Sequence, residues 1–245
     1  MYELDLSKLL PSDFKYNWKM MVDFTFGPGF GLLSSEFIEN FYKTLFKAVG
    51  LKENITFLEL FAKTRTMLEF WAVDVLNVEI HSFSYKTHPD LSVTKAMTAS
   101  SSIPFIFSMT EINGKKYTDG GVMMNIPISN LNPENTLVFT LQTKPEKFST
   151  VVGFSQNVLL SMSNAQLQNV IVKCPRFGLN LVKIDASEIS FFDIFVSSSD
   201  QQLKLWKMSK KCGKQAAQIF DGLILFLTLY FLRLRCRNFE WDLKK

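Results

Sequence analysis

The sequence predicts an α/β fold in which helices cover both faces of a sheet. Short apolar segments typical of strands alternate along the chain with longer segments of helical periodicity. With 245 residues, 47% of them hydrophobic, the chain is long enough to bury one large core. It contains no internal repeat and no low-complexity linker, so we expect the predicted elements to form one domain followed by a distinct tail.

The first predicted helix follows a glycine cluster, Gly27-Pro-Gly-Phe-Gly31. Glycine and proline together usually mark a loop, so we interpret the cluster as a loop that enters the helix. Ser35 is placed to cap the helix, Glu36 lies in its first turn and Gly50 ends it. The apolar residues of one face are Phe37, Ile38, Phe41, Tyr42, Leu45, Phe46 and Val49.

Further elements follow before the middle of the chain. Thr56 has the side chain of an N-cap residue. The turn residues Leu76-Asn77 separate two strand-like segments, which indicates a hairpin. The predicted elements are a helix near Phe57–Lys63, strands near Met67–Val75 and Glu79–Tyr85, and a short helix over Ser92–Thr98.

The same alternation continues after Pro127. The segment Thr150–Leu160 predicts the start of an amphipathic helix, because its valines and leucines recur at helical spacing. The other predicted elements are a strand over Thr136–Leu141, a strand near Leu179–Ile184 and a long helix from about Asp200.

The end of the chain has a different composition. Gly222–Leu232 is an almost unbroken apolar run of about eleven residues, and Arg233, Arg235 and Arg237 follow it. A helix that spans a bilayer needs ~20 residues, so we favour a last helix buried against the domain. An interfacial membrane helix and a frameshifted tail remain the alternatives.

Composition excludes several classes of function. The formal charge of +4 is small and scattered, so we expect no nucleic-acid partner. Three widely spaced cysteines form no metal-binding pattern and no disulfide framework, and we expect a reducing, cytoplasmic compartment. With only His81 and His88, a histidine-based triad or a zinc site is not expected. We therefore predict neither a metal nor a cofactor.

Three short segments in the middle of the chain carry the strongest signal of function. They are Ala99-Ser-Ser-Ser-Ile-Pro-Phe105, Gly114-Lys-Lys-Tyr-Thr-Asp-Gly-Gly121 and Asn125-Ile-Pro127. An isolated Asp-Gly indicates a turn and little more. The ordered set, however, resembles the Ala-Ser-x-x-x-Pro-x-x-Phe and Gly-x-x-Tyr-x-Asp-Gly-Gly-x-x-x-Asn-x-Pro segments of patatin-like phospholipases.

This resemblance implies a fold and a division of the chain. Patatin-like domains are three-layer α/β/α sandwiches around a mostly parallel central sheet. We expect residues 1–132 to be the C-terminal part of such a domain, 133–220 to supply its remaining α/β elements, and 221–245 to form the apolar and then basic tail. On this interpretation the sheet is incomplete at its N-terminal strands, as in a truncated copy.

The resemblance also implies a phospholipase A type of chemistry, in which a serine and an aspartate form a catalytic dyad on a lipid or phospholipid ester. It assigns the base to Asp119, and Gly120 and Gly121 to the rest of the Asp-Gly-Gly motif. An apolar site around Phe105 and Phe107 would raise the pKa of Asp119 and make it a stronger base.

The sequence lacks the motif that contains the serine nucleophile of such a dyad. No Gly-x-Ser-x-Gly turn occurs, and the nearest match, Gly153-Phe-Ser-Gln-Asn157, lacks its last glycine and follows the aspartate. The family's oxyanion turn precedes the serine, whereas Gly27–Gly31 would follow it, and Pro28 removes a donor that the turn requires. We therefore favour a loop over an oxyanion turn for Gly27–Gly31. Two functions stay open, an incomplete acyl hydrolase and an inactive pseudoenzyme that binds lipid or a partner, with peripheral membrane contact compatible with either.

Overall fold

The computed structural model describes residues 30–128, 131–132, 136–142, 145, 151–175 and 181–185. The chain divides into two compact units. The first takes its described residues from Asp13–Asn130 and Pro145–Asn169, and the second takes them from Leu131–Lys144 and from Val170 onward. The long helix predicted from Asp200 and the tail at 221–245 lie outside the described residues.

The first unit begins with a short strand and a helix. Its elements in chain order are β1 (Gly31–Leu33), α1 (Ser35–Ala48), α2 (Phe57–Thr64), β2 (Glu69–Asp74), β3 (Glu79–Ser84), α3 (Val93–Ser100), β4 (Phe105–Phe107), β5 (Thr110–Ile112), β6 (Lys115–Asp119), α4 (Gly121–Met124) and most of α5 (Val151–Lys173). The predicted helices and strands of this part are therefore confirmed, with ends that differ by a few residues.

The largest described sheet is antiparallel and has the strand order β3-β2-β6-β5. The predicted hairpin is β2–β3, and it closes with the longer turn Val75–Val78. The carboxylate of the fully buried Asp74 shapes this turn, because it accepts hydrogen bonds from Leu76 N and from the backbone and side chain of Asn77. The β5–β6 hairpin turns at Asn113-Gly114, where both residues have positive φ.

Parallel pairing occurs at two other places among the described residues. In the first unit β1 pairs with β4, and in the second unit β7 (Val138–Gln142) pairs with β8 (Leu181–Asp185). The chain is thus a mixed α/β protein, as predicted. The mostly parallel central sheet stays a prediction, since the four-stranded sheet is antiparallel.

The start of the first unit corrects two details of the sequence interpretation. Gly31 is the first residue of a strand and not part of a loop, and a Cβ there would lie 2.1 Å from the backbone carbon of Phe107. The cap of α1 is Ser34 and not Ser35, because the Ser34 hydroxyl accepts a hydrogen bond from Glu36 N. Gly50 follows the helix with φ +75°, which favours glycine and supports the predicted end.

The core of the first unit lies between its helices and the antiparallel sheet. Val93, Ala96 and Ala99 recur on one side of α3 and are fully buried. Small side chains there let the helix approach the sheet closely. The buried residues of this cluster are Ile55, Phe57, Leu60, Ala72, Phe83, Val93, Ala96, Ala99, Ile112 and Tyr117.

Helix α5 is confirmed, but its predicted amphipathic character is not observed. Phe154, Val158 and Met162 are exposed, whereas Ser155 and Leu167 are buried. Apolar residues therefore do not separate from polar ones around the helix.

Within the described part of the chain, no helix has both the length and the apolar character needed to cross a membrane.

Candidate active site

Asp119 lies at the end of β6, where the strand pairs with Ala72 of β2. Its backbone N–H donates to the carbonyl of Ser102 across 2.9 Å. The Asp-Gly-Gly strand and the Ala99–Phe105 segment, two parts of the sequence motif, are therefore in direct contact.

Ser102 joins the two segments through a buried set of hydroxyl groups. Its Oγ donates to Thr98 O at 2.8 Å and lies 2.9 Å from Thr110 Oγ1. Thr118 Oγ1 donates to the Ser102 carbonyl at 2.6 Å. Because all four side chains are buried, these bonds fix the end of α3 against β5 and β6 and hold the backbone of Asp119 in place.

The carboxyl group of Asp119 is largely buried and makes one hydrogen bond among the described residues. Gly121 N donates to its Oδ1 across 2.6 Å. Burial raises the pKa of Asp119 to about 6, and the Gly121 hydrogen bond opposes this rise. Oδ2 accepts no hydrogen bond from the described part of the chain.

Asp119 opens into a cleft of about 180 Å³. Phe70 and Trp71 of β2 supply the aromatic part of its lining, and Ser100 and Asn125 supply polar groups. Phe105 and Phe107, which were expected to surround the carboxylate, are not among the residues that line the cleft, and Phe105 is 44% exposed. Residues of β2 take that place because β2 is the neighbour of β6 in the sheet.

The two motif glycines lie at close approaches of the chain and do not have positive φ. Gly120 has φ −64°, and a Cβ on it would lie 2.3 Å from the carbonyl oxygen of Trp71. A Cβ on Gly121 would lie 3.0 Å from Asp119 Oδ1 and 3.2 Å from Asn125 Oδ1. Their missing side chains therefore let the strand end pack on β2 and leave the carboxylate accessible from the cleft.

Two residues of α5 that the sequence analysis did not single out hold the segment after Asp119. Gln166 Oε1 accepts from Asn125 N at 2.7 Å, and its Nε2 donates to Val122 O at 2.9 Å. Ser163 Oγ lies 2.6 Å from Asn125 Nδ2. No sequence signal distinguishes them, because α5 contains other Ser, Asn and Gln residues and because the residues they bind are distant in the chain.

Tyr42 of α1 lies near the same site. Its hydroxyl is 2.7 Å from Ser101 Oγ. Burial raises the pKa of Tyr42, and the charge of Asp119 adds to the rise. The Tyr42 hydroxyl and the Asp119 carboxylate therefore interact electrostatically.

Other side chains considered from the sequence lie elsewhere. Ser155 is buried within α5 and not on a turn, so the lookalike motif has no strand–turn–helix geometry. His81 stands at 4.0 Å from Asp74, and the His88 ring packs on Phe83. Neither histidine lines the cleft. No group of three potential metal ligands occurs within the described ranges.

Comparison with known proteins identifies relatives of this chain. The sequence model of the family "Patatin-like phospholipase" matches residues 2–131, slightly more than half of the chain. The chain is also 36% identical over 98 residues to "Probable lipid hydrolase 463L" of Invertebrate iridescent virus 6. That match covers 40% of this chain and 34% of the viral protein, so the chain spans about a third of the length of the relative.

Proposed function

Because the chain belongs to the patatin-like phospholipase family, we propose that it carries the base of a lipid acyl hydrolase with a serine–aspartate dyad, and that Asp119 is this base. The carboxyl group at the cleft is the observation that carries the proposal. It is largely buried, it lines the cleft, and one of its oxygens accepts a hydrogen bond from Gly121 N. The substrate class is a lipid or phospholipid carboxylic ester.

The raised pKa supports the role of Asp119 as a base. A free aspartate near ~3.9 is too weak a base to take a proton from a serine hydroxyl efficiently. A pKa of about 6 makes the carboxylate a better acceptor while leaving about nine in ten groups ionised at pH 7. Desolvation of the carboxylate beside Phe70 and Trp71 therefore makes Asp119 a stronger base.

The proposed reaction follows from this geometry. Oδ2 of Asp119 takes the proton as the serine Oγ attacks the ester carbonyl, and the protonated carboxyl then returns that proton to the leaving alcohol. Water hydrolyses the acyl-serine with Asp119 again as base. Gly121 N keeps Oδ1 bonded throughout, so one oxygen orients the carboxylate while the other moves the proton.

The serine has to come from a Gly-x-Ser-x-Gly turn, a pattern that the 245 residues do not contain. We propose that residues 1–132 are the site-bearing part of a patatin-like domain with a mostly parallel central sheet, that 133–220 complete it and that 221–245 form a tail. Peripheral contact with a membrane surface is compatible with a lipid substrate and is included in the proposal.

A second function rests on the same absence of the serine turn. A chain that keeps the cleft and its aspartate without a nucleophile can bind lipid or a protein partner without cleaving an ester. The hydrolase and the binding protein can be distinguished by supplying a serine nucleophile and asking whether ester hydrolysis then depends on Asp119.

The test joins the chain to the strand, glycine-rich turn and Gly-x-Ser-x-Gly helix of an intact family member. We expect hydrolysis of a short-chain nitrophenyl ester and of phosphatidylcholine vesicles. Asp119→Asn should lower the rate at least ~100-fold, the typical contribution of a general base. The matched control is Asp90→Asn on the exposed surface. A chimera that folds and hydrolyses equally well with the Asp119→Asn substitution would refute the assignment, and one that binds vesicles without hydrolysis would favour the second function.

A further inference from the structure

The geometry points to Gln166 of α5 as a positioning residue that fixes the segment from Gly121 to Asn125 and, through it, the carboxylate of Asp119. This inference rests on the proposed role of Asp119 as base. It concerns a residue on another element, more than 40 positions further along the chain, and outside the sequence motif.

A single side chain bonds to both ends of α4. Gln166 Nε2 donates to Val122 O at 2.9 Å and lies 3.4 Å from Gly121 O, while its Oε1 accepts from Asn125 N at 2.7 Å. An isolated helix of four residues is unstable in water, because it makes few internal hydrogen bonds. The amide of Gln166 therefore supplies contacts that α4 cannot make for itself.

The link from Gln166 to the carboxylate passes through Gly121. The N–H of Gly121 donates to Asp119 Oδ1, and the carbonyl of the same residue is within reach of Gln166 Nε2. The peptide groups on both sides of the Gly121 Cα are thus held, one by the carboxylate and the other by α5. Glycine has the most backbone freedom of any residue, so an unheld Gly121 would leave the N–H poorly oriented.

Ser163 adds a second contact from the same helix. Its Oγ lies 2.6 Å from Asn125 Nδ2. This leaves Asn125 Oδ1 near Gly121, 3.2 Å from the position of a Cβ there. Asn125 is therefore held at its backbone by Gln166 and at its side chain by Ser163.

Among the residues that the structure describes, two titratable groups are recorded near Asp119. Glu69 of β2 lines the same cleft and Tyr42 of α1 interacts electrostatically with the carboxylate. Between Val151 and Val172, α5 has no charged residue. Replacing Gln166 with a neutral residue therefore changes the position and hydration of Asp119 without changing a nearby charge.

The test measures the pKa of Asp119 by carbon NMR of the carboxyl groups in the full chain, with Gln166→Ala and the matched exposed control Gln168→Ala on the same helix. Burial is the larger influence on this group. Release of α4 should therefore admit water and lower the pKa from about 6 toward its ordinary value of 3.8. Exchange of the Gly121 amide hydrogen should accelerate at least about tenfold, as expected for the loss of hydrogen bonds worth about 1 kcal/mol each. The control should change neither.

A second variant, Gln166→Met, keeps the length and packing of the side chain and removes its hydrogen bonds, so it answers the question if the alanine variant does not fold. An unchanged Asp119 pKa and unchanged Gly121 exchange in a folded Gln166 variant would overturn the inference. Failure of the proposed function would appear separately, because the measurement needs no turnover. If the Gln166 variants shift the pKa but the chimera is insensitive to Asp119, the positioning stands and the catalytic role fails.

Discussion

Gly121 N and Asp119 Oδ1 form a hydrogen bond of 2.6 Å across the first turn after β6. The bond uses one oxygen of a carboxylate that lines the cleft. It also opposes the effect of burial, which raises the pKa of Asp119 to about 6. The same carboxyl group is therefore costly to the folded chain and suited to proton transfer, a combination typical of functional sites.

The first prediction concerns stability and pH. The folded pKa of Asp119 lies above its unfolded value, so the folded chain binds more protons between pH 3.8 and about 6, and stability is lost as the pH rises through that window. The full shift would correspond to about 3 kcal/mol, and partial exposure reduces it. Asp119→Asn should therefore stabilise the chain by about 1–2 kcal/mol at pH 7 and be neutral below about pH 3.5.

Urea unfolding at the two pH values measures this effect, with Asp90→Asn as the exposed control. Asparagine keeps an oxygen that accepts from Gly121 N, so the turn should be preserved. Loss of stability in the Asp119→Asn variant at pH 7 would mean that the charge is better compensated than its described contacts indicate.

The second prediction separates close packing from backbone conformation. Gly120→Ala places a Cβ 2.3 Å from the Trp71 carbonyl oxygen, so β6 must move away from β2. We expect a loss of about 2–4 kcal/mol in the free energy of unfolding. Gly114→Ala is the comparison, because that turn residue has φ +76° with open space around it, and it should lose only about 1 kcal/mol. Equal losses of unfolding free energy in the two variants would show that the backbone at Trp71 shifts at little cost to accept the added Cβ.

The third prediction concerns the start of α2. Thr56 Oγ1 accepts from Glu59 N at 3.2 Å, and the Glu59 carboxylate accepts from Thr56 N at 3.0 Å, which together form a capping box. Thr56→Ala should cost about 1 kcal/mol, measured as a lowered melting temperature, whereas Thr56→Ser keeps the hydroxyl and should cost little. A serine variant as unstable as the alanine one would assign the effect to the lost methyl group.

The fourth prediction concerns reactivity of the chain as given. A fluorophosphonate probe should label no serine stoichiometrically, because Ser155 is buried within α5 and no Gly-x-Ser-x-Gly turn is present. Intact-mass analysis after incubation at neutral pH gives the result, with an active serine hydrolase as the positive control. One adduct per chain that disappears in Ser155→Ala would identify that residue as a nucleophile.

Local signals in the sequence determined much of the fold and the centre of the site. The Thr56 cap, the end of the first helix at Gly50 and the hairpin of β2 and β3 were all predicted, since each depends on residues within a few positions of one another. The ordered motif also singled out Ala99–Phe105 and Gly114–Gly121, two segments that the structure brings into contact. Such features can be predicted from the sequence, because backbone propensity and local hydrogen bonds depend on residues that are close together in the chain.

Only the tertiary structure decided which distant residues surround Asp119. Strand pairing placed the Trp71 carbonyl against Gly120 and put β2, rather than Phe105 and Phe107, beside the carboxylate. Helix packing brought Gln166 to Asn125, 41 positions earlier in the chain. Every residue has a backbone carbonyl, so the sequence does not mark the one at Trp71. Helix α5 also contains other glutamines, and the sequence does not distinguish Gln166 from them. Contacts of this kind follow from how the elements pack, and not from the order of residues.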